Sequence, residues 1–209
     1  MATLNATKWG YMRSITSATF STVRSSNGFT VANNPTNIVE SVEYVASSGR
    51  GSLTHGLRRA YFTFDVSSIT GTVSSLSLNF RTSTTAGVGF RVVKSTAFGG
   101  SNSNLATSEF ASIDTSTPYS DSITGAAAVP FSMTLNSDAE SDVQNNSYFI
   151  CAVIENDHDF TATAATSAYD KAMQINWALT PYLEYNEAAA SGPANLTSLN
   201  GIAKASITS

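Results

Sequence analysis

"AYFTFDVSSITGTVSSLSLNF", Ala60 to Phe80, reads as two strands joined by a turn. In the first part Phe62, Phe64 and Val66 fall on one face, and Tyr61, Thr63 and Asp65 on the other. In the second, Val73, Leu76, Leu78 and Phe80 contrast with Ser75, Ser77 and Asn79. Side chains on a strand alternate with a period of two, so this is the pattern of strands that line a core. The joint "DVSSITG" has turn chemistry, and Asp65 is placed to anchor it by accepting backbone amides.

Outward from that pair, the same signature recurs between Gly, Asn, Ser and Pro punctuation. Strands are predicted over 12–22, 28–33, 37–46, 57–66, 73–81, 88–95, 129–136, 148–155, 172–179 and 181–186. "YFICAVI", from Tyr148, is apolar on both faces, as in a central strand covered on both sides. Trp177 alternates with Ile175 and Leu179 and reads as core. One short helix is predicted in "NSDAESDVQNN", capped by Asn136 or Ser137 and carrying Asp138 and Glu140 in its first turn. A weaker helical pattern spans 104–110, and the Gly-, Ser- and Thr-rich stretch 96–128 is expected to wander over the surface. These elements predict an all-β fold: a two-sheet antiparallel sandwich (jelly roll) over residues 1–187, with an extended C-terminal tail over 188–209.

A chain of 209 residues is long enough to bury a sizeable core. Charged residues make up only 12%, and polarity comes instead from 32 Ser and 26 Thr, the habit of extracellular and virion β proteins. A net charge of −4, with no basic cluster longer than "LRR" at Arg58–Arg59, argues against a nucleic-acid partner. No apolar run approaches the length of a membrane span, and "MATLNATKWGYMRSITS" lacks the apolar segment of a signal peptide. Cys151 is the single cysteine, so no intrachain disulfide forms, and its apolar surroundings mark it as a buried, inert thiol.

From Arg58 to Thr82, "RRAYFTFDVSSITGTVSSLSLNFRT" resembles the DNRLRE-type carbohydrate-binding jelly rolls: an aromatic-rich strand ending in Phe-Asp-Val-Ser, a short turn, then an alternating strand. "FSMTLN" followed by the helix, "YFICAVIEN" as central strand and "TPYLEYNE" as closing strand follow in that family's order. The resemblance covers roughly residues 57–187, the N-terminal third is divergent, and no DNRLRE-like run occurs, so no ligand residue is carried over from that motif. What it implies is the jelly-roll fold and a carbohydrate ligand.

The tail "GPANLTSLNGIAKASITS" echoes itself at a spacing of eleven: Ala194 matches Ala205, Leu196 Ile207, Thr197 Thr208 and Ser198 Ser209. It resembles the C-terminal tags of tailed-phage virion proteins, which implies a fibre, tail-associated or head-decorating subunit located in the virion. Its large apolar groups are Leu196, Leu199, Ile202 and Ile207. Ordering a backbone costs about 1–2 kcal/mol per residue, and four such side chains return about 1.5–3 kcal/mol each. The tail is therefore expected to bind another polypeptide: other virion proteins, or copies of itself in a homotrimer.

Sites of chemistry are few. Glu155, Asp157 and Asp159 cluster with His158 in "ENDHDF". They could offer carboxylates to Ca²⁺, the one cofactor the sequence suggests, or form a polar turn; the glycine of a calcium loop is missing. His55 and His158 are the only histidines, no nucleophile elbow accompanies them, and the expectation is no catalytic residue and no enzyme. Trp9, Tyr11, Tyr169 and Tyr182 are the candidate stacking platforms for a host surface glycan. The alternative reading is a carbohydrate-binding module outside any virion.

Overall fold

The computed structural model describes residues 1–49, 52–85 and 87–189. Thirteen strands are found among them: β1 (Ala2–Asn5), β2 (Lys8–Ser14), β3 (Gly28–Asn33), β4 (Val39–Ser48), β5 (Leu53–Asp65), β6 (Thr72–Thr85), β7 (Gly89–Ser95), β8 (Ile113–Pro118), β9 (Ile123–Thr124), β10 (Ala128–Thr134), β11 (Tyr148–Glu155), β12 (Tyr169–Asn176) and β13 (Tyr182–Ala188). Two α-helices, α1 (Phe20–Ser25) and α2 (Ser137–Asn145), and a π-turn at Asn156–Phe160 accompany them. Hydrogen bonding runs through one continuous sheet in the order β1-β13-β6-β12-β4-β5-β11-β7-β8, with β10 on β6, β2 between β3 and β5, and β9 on β7. Every pairing is antiparallel.

The sheet folds over into a sandwich. β4 carries it across, pairing β12 through Val39–Ala46 and β5 through Glu43–Ser48. Phe62 of β5 then faces Phe80 of β6 and Trp177, with ring centroids 5.9 and 6.0 Å apart. That core takes Phe62, Phe64 and Val66 from β5, Val73, Leu76, Leu78 and Phe80 from β6, and Phe149, Cys151 and Val153 from β11. Val73 and Leu76 share a face although three residues apart. Ser75, at φ +55°, absorbs the slip, and the ladder to β13 shifts register between Glu184 and Asn186, the signature of a β-bulge.

β11 is buried on both faces, as its two-sided apolar pattern predicts. Ile150, Ala152 and Ile154 enter a second cluster with Tyr61, Phe20, Val23, Phe98, Leu105 and Phe110. This layer corrects two sequence expectations. The strand predicted over 12–22 is β2 shifted toward the N-terminus, followed by α1, whose Phe20 and Val23 are buried. Residues 96–128 form β8, β9 and the start of β10 rather than a surface wander; they bury Phe98, Leu105 and Phe110 against the back of the central strands and send Tyr119 into the sandwich core. The predicted helix is α2, with the Asn136 side chain accepting the Ala139 amide at 3.2 Å. Asp65 anchors its turn as expected, accepting the Ser67 amide and hydroxyl at 3.1 and 2.6 Å.

Candidate functional site: an open trough over Gly56

β5 is thirteen residues long and only its second half is needed by the sandwich core. Its first half overhangs. There His55 and Leu57 are buried against Phe20 and Tyr44, while Thr54, Gly56 and Arg58 on the opposite face stay partly exposed. β4 continues the pattern, with Tyr44 and Ala46 buried and Glu43 and Val45 partly exposed. The overhang is thus a sheet extension packed on one face and open on the other. Its open face is the floor of a trough of about 410 Å³, within the size range of about 300–1,000 Å³ typical of small-molecule sites.

Strand register sets the trough's composition in three rungs. Arg58 pairs with Arg13 on one side and Glu43 on the other. Next comes Gly56 opposite Val45, then Thr54 opposite Ser47. A Cβ built on Gly56 would meet no heavy atom within 4 Å. A glycine inside a strand weakens it and marks a place where another group comes close; no backbone does so here. Phe29, on edge strand β3, lines the rim and is 78% exposed.

The charged end of the trough is fixed in place. Arg13 Nη2 donates to Glu40 Oε2 at 2.9 Å, Arg58 Nη1 to the same oxygen at 3.1 Å, and Arg58 Nε pairs with Glu43 Oε1 at 2.9 Å. Tyr11 donates its hydroxyl to Glu40 Oε1 at 3.2 Å. Burial raises the Glu43 carboxyl above its usual range, against the pull of Arg58. Arg13 Nε is buried and makes no hydrogen bond among the described residues.

The carboxylates of "ENDHDF" build a turn, the polar-turn alternative of their sequence reading. Glu155 is fully buried and its two oxygens accept the amides of Asp157, His158 and Asp159 at 2.7, 2.8 and 3.0 Å and the Tyr169 hydroxyl at 3.1 Å. Asp159 is taken by Arg59, whose Nη2 and Nε donate at 2.7 and 2.8 Å, and by Arg24 at 3.2 Å. Asp157 is exposed and accepts from Asn156. Lone pairs used this way are lost to a cation that needs six to eight oxygens, and no cluster of three or more metal-ligating side chains occurs among the described residues.

The four aromatic candidates do not assemble into one platform. Trp9 packs on the sandwich core and donates Nε1–H to the Pro35 carbonyl at 3.1 Å. Tyr11 is 8% exposed. Tyr169 leans on Tyr44 and His158, at 5.4 and 4.4 Å between centroids, and burial, then Glu155, raises its phenol pKa. Tyr182 is half-buried on β13. Among described residues no ring contact joins any of the four to another. Trp177 is buried, as expected.

Sequence reading missed Gly56, Phe29, Arg13, Glu40 and Glu43. "LRR" drew notice only as a basic cluster, yet its arginines part ways: Arg58 lines the trough, and Arg59 enters the second core beneath it. Gly56 precedes the strand predicted over 57–66, so the strand pattern gave no signal there.

The histidines are engaged locally. Tyr44 accepts the Ala165 amide at 3.0 Å and its hydroxyl meets His55 Nδ1 at 2.7 Å; His158 Nδ1 meets the Thr163 carbonyl at 2.8 Å. Burial, with nearby His158 adding to it, lowers the His55 pKa below its usual value. The unfolded chain therefore takes up the His55 proton first. Stability from this source is complete above about pH 6.5 and declines as pH falls from there through the lowered folded value. Melting temperature is expected to fall between pH 7.5 and 5, and the fall should shrink in His55→Gln. An equal fall in both proteins would place the sensitivity elsewhere.

No family model and no curated protein matches this chain.

Proposed function

We propose that this is a non-enzymatic structural subunit of a bacteriophage particle. Its jelly-roll domain is displayed as a fibre, tail-associated or head-decorating component, and residues 188–209 attach it to other virion proteins or to copies of itself as a homotrimer. The observation that carries this reading is how the sandwich closes. β13 is an internal strand, flanked by β1 and β6. Its end is clamped where Glu187 Oε1 accepts the amides of Thr70 and Gly71 at 3.0 and 2.8 Å. Contact there is so close that a Cβ on Gly71 would lie 1.9 Å from the Ala188 carbonyl oxygen. This closure of the described strands by Ala188 supports reading the patterned segment beyond it as an attachment element. Leu196, Leu199, Ile202 and Ile207 lie outside the described residues.

Two further observations support the reading. The side chains that could do covalent or acid–base chemistry are used in packing: Cys151 is buried with its thiol pKa pushed up, and both histidines are hydrogen-bonded within their own cluster. In addition, the described residues form an all-β sandwich, the architecture expected of the displayed domain. A chain ending at Ala188 is expected to sediment as a monomer and to be absent from particles, while the full chain associates. Unchanged association or incorporation would refute the tail's role. The trough favours a second reading, a carbohydrate-binding module, and the two are compatible if the displayed domain is the recognition domain.

A further inference from the structure

We infer that the trough over Gly56 binds the ring face of a neutral glycan, with Phe29 as its stacking wall and the Arg58–Arg13–Glu43 rung as its polar anchor. The inference deepens the display reading, which it needs only for what presents the site.

Three features select this ligand. The first is the order of the rungs, polar then apolar then polar. Gly56 and Val45 leave a flat apolar strip between the Arg58–Glu43 rung and the hydroxyls of Thr54 and Ser47. Four residues of strand at about 3.3 Å each separate the two polar rungs by about 13 Å. That span exceeds one pyranose and suits a short oligosaccharide, whose units each present an apolar ring face edged with hydroxyls. Phe29 adds an exposed aromatic surface at the rim, and a ring π face suits the apolar side of a sugar.

The second feature is charge. Arg13 and Arg58 are matched by Glu40 and Glu43 through ion pairs of 2.9–3.1 Å, so the trough has no net charge to draw a polyanion or a polycation. Each guanidinium still has donors to spare, since Arg carries five N–H groups and the pairs use only some of them. The ion pairs hold these donors in position before the ligand arrives, which lowers the ordering cost of binding. Hydroxyl groups, which both donate and accept, match such an array of fixed donors and carboxylate acceptors.

The third feature is Gly56 itself. Valine suits a strand better than glycine does, and its Cβ would meet nothing within 4 Å. Only the space above the sheet is gained by having glycine here.

The test uses the full chain against soluble gluco-, galacto- and mannooligosaccharides, with polygalacturonate as the anionic comparison. Binding to at least one neutral oligosaccharide is expected, with little dependence on salt. Gly56→Val should keep or raise the melting temperature while weakening binding at least about tenfold, and Phe29→Ser should weaken it comparably with the fold intact. Failure to bind any neutral probe, binding to polygalacturonate alone, or full binding by Gly56→Val would overturn the inference. So would a Gly56→Val chain that loses self-association while the probes stay silent, because the occupant would then be polypeptide. A chain ending at Ala188 should still bind the glycan, so loss of attachment and loss of recognition are read separately.

Discussion

Asp159→Ala is expected to destabilise the domain by about 3–5 kcal/mol, because it leaves a buried guanidinium without its counter-charge. Arg59 and Asp159 are both fully buried and joined through two short hydrogen bonds. Arg59 also donates Nη1–H to the Phe110 carbonyl at 2.6 Å and lies 4.3 Å from the centre of the Phe110 ring. Tyr61 donates to that same carbonyl at 2.6 Å. One ion pair therefore ties β5, the turn after β11 and the covering segment at Phe110 into the second core. For a chain of this size each kcal/mol moves the melting temperature by roughly 2–4 °C, so a fall on the order of 10 °C should be seen. Pairing Arg59→Met with Asp159→Leu should recover much of it, since apolar replacement of a whole buried pair is often close to neutral. A loss below about 1 kcal/mol for Asp159→Ala would mean that the pair is not desolvated as described.

Glu155→Gln is expected to lose about 1–3 kcal/mol, the cost of one buried donor left without an acceptor. Each carboxylate oxygen of Glu155 accepts two hydrogen bonds; glutamine does best with its NH₂ toward Tyr169, whose hydroxyl can accept, and even then it opposes the Asp157 amide. The turn that Glu155 nucleates is the one that delivers Asp159 to Arg59. The two substitutions should therefore be less than additive in a double-mutant cycle by urea denaturation. Strict additivity would show the turn and the ion pair to be independent.

Much of the sandwich could be read from the chain because its strands carry regular apolar alternation. "YFICAVI" is buried on both faces as its composition dictates, and Asn136 caps the helix that its position foretold. Where the alternation of "VSSLSL" slips, the structure places a bulge at Ser75. The second layer was hidden for a physical reason. Phe98, Leu105 and Phe110 are separated by six and four residues of polar chain, so they show no period although all three are buried. The first strand was misplaced because Trp9, Tyr11 and Met12 are followed by Ile15, which is 37% exposed, and by Phe20, which belongs to a helix.

The candidate site was less legible than the fold. Aromatic residues were sought as platforms, but tertiary packing consumed Trp9, Tyr11 and Tyr169. Of the carboxylates in "ENDHDF", Glu155 turns inward to accept amides, Asp159 pairs with arginines and Asp157 stays exposed. The trough arises instead from strand length: β5 outruns the core it serves, and only the pairing register brings Arg13, Glu43 and Gly56 together. β4 and β5 are consecutive strands, but β2 lies far off in sequence, and its register on β5 has no local signature.

The account rests on the sandwich being a finished unit at Ala188, clamped by Glu187 on the Thr70 and Gly71 amides. The most direct measurement is the melting temperature of a chain ending at Ala188 beside that of the full chain, both at a concentration low enough to keep them monomeric. Agreement to within about one degree is expected. A fall of more than about five degrees, or failure of the shorter chain to fold, would mean that residues 189–209 complete their own domain and are not free to attach it.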